Sequence, residues 1–154
     1  MSDQHNVFIS HRHEDDELIG RLKDALSRSN VNVRDSSVTS EIPNNAKAEG
    51  YIKQLLADRI NWSGKMIVII SPETHSHAWV DWEIEYANRK DKRIIGVWAP
   101  GADGSDLPMG LEDYADAIVP WDAAKIIRAI DGEDNWQTPD GTDASPRTIK
   151  RLSC

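Results

Sequence analysis

Apolar positions along the chain alternate between short β-rich runs and longer stretches with helical spacing. Asn6-Val7-Phe8-Ile9-Ser10 predicts a first strand. Over Glu14 to Ser29, the residues Leu18, Ile19, Leu22, Ala25 and Leu26 fall on one side of a helix, and Asn30 marks its end. Val31 to Arg34, with Val31 and Val33 alternating, predicts a second strand. Residues 35–45 are rich in Asp, Ser and Asn and predict a loop. Ala46 to Ile60 predicts a second helix with Ala48, Ile52, Leu55, Leu56 and Ile60 turned inward. Lys65 to Ser71 carries a continuous apolar run, as in a central parallel strand covered on both faces. His77 to Asp91 predicts a third helix, Arg93 to Ala99 a fourth strand, and residues 100–113 a Gly/Pro/Asp-rich loop. Ala117 to Trp121 predicts a fifth strand, and Asp122 is placed to cap a last helix ending at Ile130.

Strands that alternate with helices imply an α/β domain, a flavodoxin-like three-layer arrangement around a five-stranded parallel sheet. The domain is expected to cover residues 1–131. Residues 132–154 are polar and are expected to form a poorly ordered C-terminal extension, with Trp136 and Leu152 able to dock on the body. Ligands of such sheets bind beyond the carboxyl ends of the strands. Residues 10–15, 35–45, 71–79 and 99–115 are therefore where chemistry is expected.

A length of 154 residues suits one domain with a core of its own. With 18 Lys and Arg against 26 Asp and Glu, the net charge is −8. That balance argues against a nucleic acid held through bulk charge and against an anionic membrane surface. The single cysteine, Cys154, allows no intrachain disulfide. The opening MSDQHN does not lead a basic stretch into an apolar run, and no apolar stretch approaches membrane-spanning length. A reduced, cytoplasmic setting is the expectation.

Several uses of an α/β sheet lack their motifs. No G-x-G-x-x-G follows the first strand, and neither a P-loop nor a G-x-S-x-G elbow is present. A phospho-receiver needs a phosphoacceptor Asp at the end of the third strand, where Ile70-Ser71-Pro72 stands. The run His11-Arg12-His13-Glu14-Asp15-Asp16 has the look of the H-x-H-x-D-H metal-binding run of metallo-β-lactamase-type hydrolases. Its last member is Asp16 rather than His, and downstream histidines are confined to His75 and His77. These residues read as polar loop positions before a helix whose acidic first turn suits the macrodipole, and no metal is expected.

The third helix is the informative one. At about 100° per residue, Val80, Ile84 and Ala87 face the sheet, while Asp81, Glu85 and Asn88 face solvent, with Glu85 and Arg89 spaced for an i,i+4 pair. Trp79, Trp82 and Tyr86 form a third stripe, either plain core or a patch for self-association. Glu83 falls between the apolar and aromatic stripes. A carboxylate there loses hydration, its pKa rises unless a partner offsets the loss, and such groups cluster at functional sites. The alternative is a Glu that pairs with a Lys or Arg, or swings to water.

Together these segments resemble the TIR (Toll/interleukin-receptor) fold, and within it the bacterial TIR-like, ThsB-type component of Thoeris anti-phage defence. Val7-Phe8-Ile9-Ser10-His11 with Asp15 shortly after is similar to the opening TIR motif, and Val33-Arg34-Asp35-Ser36-Ser37 to the end of the second TIR strand. Ile67-Val68-Ile69-Ile70-Ser71 followed by Trp79-Val80-Asp81-Trp82-Glu83-Ile84 resembles the most specific TIR pattern: strand, Ser, loop, then Trp-Val-x-x-Glu-Ile. Lys92 to Val97 matches the next strand. The resemblance covers roughly residues 6–131. Pro43-Asn44-Asn45 replaces the Pro-Gly usual in receptor TIR domains, which favours the prokaryotic branch.

The resemblance implies a TIR-like fold and cleavage of the nicotinamide–ribose bond of NAD, with NAD as substrate and no cofactor. Glu83 occupies the catalytic position of NAD-consuming TIR domains. Ser10, His11, Arg12, Asp35, Ser36 and Trp79 would line the substrate site, with Arg12 on the pyrophosphate and Trp79 stacking on a ring or walling the pocket. Implied partners are further copies through TIR surfaces, a separate effector that senses the product, and a phage-derived trigger. Two other readings share the pattern: a catalytically silent TIR-like scaffold, and a nucleoside deoxyribosyltransferase-like enzyme.

Overall fold

The computed structural model describes residues 5–11, 16–28, 31–35, 49–72, 78–102, 106–107, 109–133 and 136–138. Its elements are β1 (His5–Ser10), α1 (Asp16–Ser27), β2 (Val31–Asp35), α2 (Glu49–Trp62), β3 (Lys65–Ile70), α3 (Ala78–Arg89), β4 (Arg93–Trp98), α4 (Met109–Tyr114), β5 (Ala117–Val119) and α5 (Ala123–Ile130). The strands form one sheet in the order β2-β1-β3-β4-β5. Every neighbouring pair is parallel. From β1 the chain steps outward to β2, then crosses back over β1 to β3, so the strand order reverses direction between β1 and β3.

The two-residue period of the strands divides the core. Val7 and Ile9, with Ile67, Ile69, Ile95 and Val97, meet α1 and α5 through Ile19, Leu22, Leu26 and Ile126. On the other face, Phe8, Met66, Val68, Ile70 and Ile94 meet α2, α3 and α4 through Leu56, Ile60, Val80, Ile84 and Leu111. Helices cover both faces, which explains the continuous apolar runs of β3 and β4.

Differences from the sequence expectation have local causes. Residues 100–113 are not all loop: α4 occupies Met109–Tyr114. A helix of 6 residues is too short to declare a period, and Gly110 is a poor helix former. Gly110 lets α4 lie against α3, since an added Cβ would stand 2.9 Å from Ile84 Cγ2. β5 stops at Val119 rather than Trp121, because Pro120 has no N–H to continue the ladder. α2 runs on to Trp62, where Ser63 Oγ donates to Ile60 O at 2.8 Å.

Asp122 caps α5 as its position suggests, accepting from the Lys125 backbone N–H at 3.1 Å. Arg93 then ties the end of α5 to the start of β4, donating from Nε to Ala129 O (2.9 Å) and from Nη2 to Glu133 O (2.8 Å). The chain beyond α5 docks at the sheet edge. Trp136 bridges Ile118 in parallel, the Gln137 N–H donates to Ile118 O at 2.8 Å, and Trp98 Nε1 donates to Gln137 O at 2.8 Å. Leu152 lies outside the described residues. Among the described residues, no helix is long and apolar enough to cross a membrane.

Candidate functional site

The strand order reverses between β1 and β3, and open α/β sheets hold their ligands beyond the carboxyl ends of the strands at such a point. Ser10 ends β1 and is paired with Val68 of β3, so it stands at that reversal. It follows Phe8 in the strand period and therefore points to the face covered by α2, α3 and α4.

α3 brings Glu83 to the same place. Val80, Ile84 and Ala87 are fully buried against the sheet, and Glu83, three residues after Val80 and four before Ala87, shares their side. The expected border position is in fact an interior one: Glu83 is 0% exposed, as is Ser10. Ser10 Oγ donates to Glu83 Oε1 at 2.5 Å, across 73 residues of sequence. The carboxylate neither swings to water nor stands on the outer side with Glu85, which is exposed.

The aromatic stripe is part of the packing between helices. Trp82 and Tyr86 are half-buried and stacked, with centroids 5.3 Å apart and planes 16° apart. Tyr86 Oη accepts from Asn61 Nδ2 of α2 at 2.9 Å. The Arg89 guanidinium, spaced to pair with Glu85, lies over the Tyr86 ring, 5.8 Å from its centroid.

Other predicted site residues fall at the same rim to different extents. His11 directly follows Ser10 and is buried. Asp35 ends β2, in register with Ile9 of β1, and Trp79 lies in the first turn of α3; their side chains lie outside the described residues. Arg12 and Ser36 lie wholly outside them. The structure adds two buried polar residues that sequence reasoning did not assign to the site. Ser71 directly follows β3 and Asp106 lies in the connection after β4, both on carboxyl-end segments. Ser71 was visible as the Ser closing the strand motif; Asp106 carried no signal in its loop. Among the described residues, no group of three or more His, Cys, Asp or Glu is placed to hold a metal ion. Residues 12–15 of the His/Asp run lie outside them.

Residues 8–103 match the family model described as Thoeris protein ThsB, TIR-like domain. That span holds Ser10, Glu83 and every other predicted site residue. A comparison with curated proteins gives no significant match. Among solved structures, the chain is similar to a 2-deoxyribosyltransferase from Bacillus psychrosaccharolyticus, with 12% identity, a TM-score of 0.61, and coverage of 79% of this chain and 89% of that one. A conserved protein from Enterococcus faecalis V583 aligns at 11% identity and a TM-score of 0.51, covering 64% of this chain and 65% of that one. The TIR domains of the activated Roq1 resistosome align at 21% identity and a TM-score of 0.46, covering 62% and 57%. At these identities the first two likenesses speak for the α/β fold alone.

Proposed function

This chain belongs to the TIR-like domain family of the Thoeris protein ThsB, and from that premise we propose that it is an NAD-processing enzyme of anti-phage defence. It cleaves the nicotinamide–ribose bond and releases an ADP-ribose-type or cyclic ADP-ribose-type signalling nucleotide. The observation that carries this reading is the fully buried Glu83 carboxylate, hydrogen-bonded to Ser10 where the strand order reverses.

The chemistry asks for little else. When the bond between ribose C1′ and the nicotinamide nitrogen breaks, its electron pair leaves with nicotinamide. The cationic ring departs neutral, so no strong general acid is needed. Positive charge develops on the ribose as an oxocarbenium-like cation. A carboxylate shielded from water stabilises that cation more than an exposed one does, because Coulomb attraction is stronger at low dielectric. Glu83 serves in this role, or accepts from the ribose hydroxyls. Water then attacks C1′ and loses a proton to give ADP-ribose, or a nitrogen of the adenine attacks to give a cyclic isomer.

His11, Asp35, Ser36 and Trp79 line the substrate site in this reading, Ser10 stands behind them against Glu83, and Arg12 contacts the pyrophosphate. The enzyme works in the cytoplasm, completes its site by self-association, responds to a phage-derived trigger, and signals to a separate effector. The test is to express wild type and Glu83→Gln under phage challenge and follow NAD and its products by mass spectrometry. Products from wild type and none from Glu83→Gln support the reading. Equal products from both remove Glu83 from the mechanism. Intact NAD in challenged wild-type cells supports a silent scaffold, and turnover of deoxynucleosides in place of NAD supports a transferase.

A further inference from the structure

We propose that Ser10 is the positioning residue of Glu83: its hydroxyl acts on the carboxylate and not on the substrate. The inference rests on the proposed NAD chemistry for its catalytic consequence, and on geometry alone for the contact itself. Both side chains are 0% exposed, so the Ser10 hydroxyl is committed to the interior. Its donation to Oε1, at 2.5 Å, bridges the end of β1 and the middle of α3. A serine has one O–H to donate, and that donor is used here.

Phe8, Val68, Val80 and Ile84 belong to the buried apolar cluster on the same face of the sheet. A glutamate has three side-chain torsions, and an apolar wall fixes none of them by direction. The hydroxyl does: it selects the rotamer that holds Oε1 at β1 and sets the orientation of the carboxylate plane. It also favours the charged form, since a hydrogen bond to a carboxylate stabilises the ion over the acid. Among the described residues, the other titratable groups on the carboxyl-end segments are His11 and Asp106, both buried, and Asp35 at the end of β2. On α3, Asp81 is half-buried and Glu85 exposed, and Lys65 and Arg93 stand at the opposite ends of β3 and β4.

The test uses the full chain labelled with ¹³C-glutamate, the Glu83 carboxyl signal being assigned by its loss in Glu83→Gln. The carboxyl is titrated in wild type, Ser10→Ala and Ser10→Thr, and NAD turnover is measured on the same samples across pH. Loss of the donor removes a bond to the charged form, so Ser10→Ala is expected to raise the Glu83 pKa by about one to two units. The acid limb of the rate profile moves to higher pH with it, and kcat falls about tenfold or more while KM holds. Ser10→Thr, which keeps the hydroxyl, restores the wild-type titration. If Ser10→Ala does not fold, Ser10→Cys keeps the volume with a weaker donor and is expected to raise the pKa by less.

An unchanged titration overturns the proposal. So does a raised KM with unchanged kcat, because the hydroxyl would then be spent on the substrate. Failure of the wild type to consume NAD removes the enzymatic reading, and the carboxyl titration still decides whether Ser10 governs Glu83.

Discussion

Toward α1 and α5 the strands present mainly hydrocarbon, from Val7, Ile9, Ile67, Ile69, Ile95, Val97 and Val119, with Lys65 and Arg93 only at their amino ends. Toward α2, α3 and α4 the same strands present Phe8, Met66, Val68 and Ile70, but also Ser10, and α3 sets Glu83 against it. Hydrocarbon burial contributes stability on both faces, roughly 1.5–3 kcal/mol for each large side chain. A buried carboxylate contributes little and is costly to desolvate. The α3 face keeps one nonetheless, toward the carboxyl ends of the strands, where open α/β sheets hold their ligands. The contrast separates residues that hold the fold from those that the chemistry requires.

Substitutions on the two faces should therefore differ in kind. Ile69→Ala, on the α1 and α5 side of the central strand, should cost about 2–5 kcal/mol in urea unfolding. It should leave the kcat of the folded fraction unchanged. Gly110→Ala drives a methyl to within 2.9 Å of Ile84 Cγ2, the residue beside Glu83. It should cost about 1–3 kcal/mol by overpacking and also lower kcat, because α3 must shift to make room. A Gly110→Ala enzyme with full kcat would show that the position of α3 tolerates movement. Asp122→Ala removes the cap of α5, far from α3, and should cost about 1 kcal/mol with kcat intact. Loss of activity in this last variant would erase the distinction between the faces.

Much of this division was legible in the residues. The unbroken apolar runs of β3 and β4 announced a sheet covered on both sides, and helical spacing put Val80, Ile84 and Ala87 on its surface. The same wheel brought Glu83 close to them but underestimated its burial, because a wheel gives direction and not depth. α4 was hidden by its shortness and by Gly110. The Ser10–Glu83 bond was out of reach for another reason. Each residue was visible in its own motif, but a contact across 73 residues depends on which strand lies beside which, and local pattern does not carry that. Asp106 was invisible on the same ground, since its burial comes from packing of a loop whose composition reads as exposed.

The central claim is that the buried Glu83 carboxylate acts on the ribose of NAD. Its most direct test is nicotinamide release by the purified chain, wild type against Glu83→Gln, over concentrations that span self-association. Release by the wild type, reduced about a hundredfold to a thousandfold in Glu83→Gln, is the predicted result. Equal release from both proteins, or none from the wild type at any concentration, would contradict it.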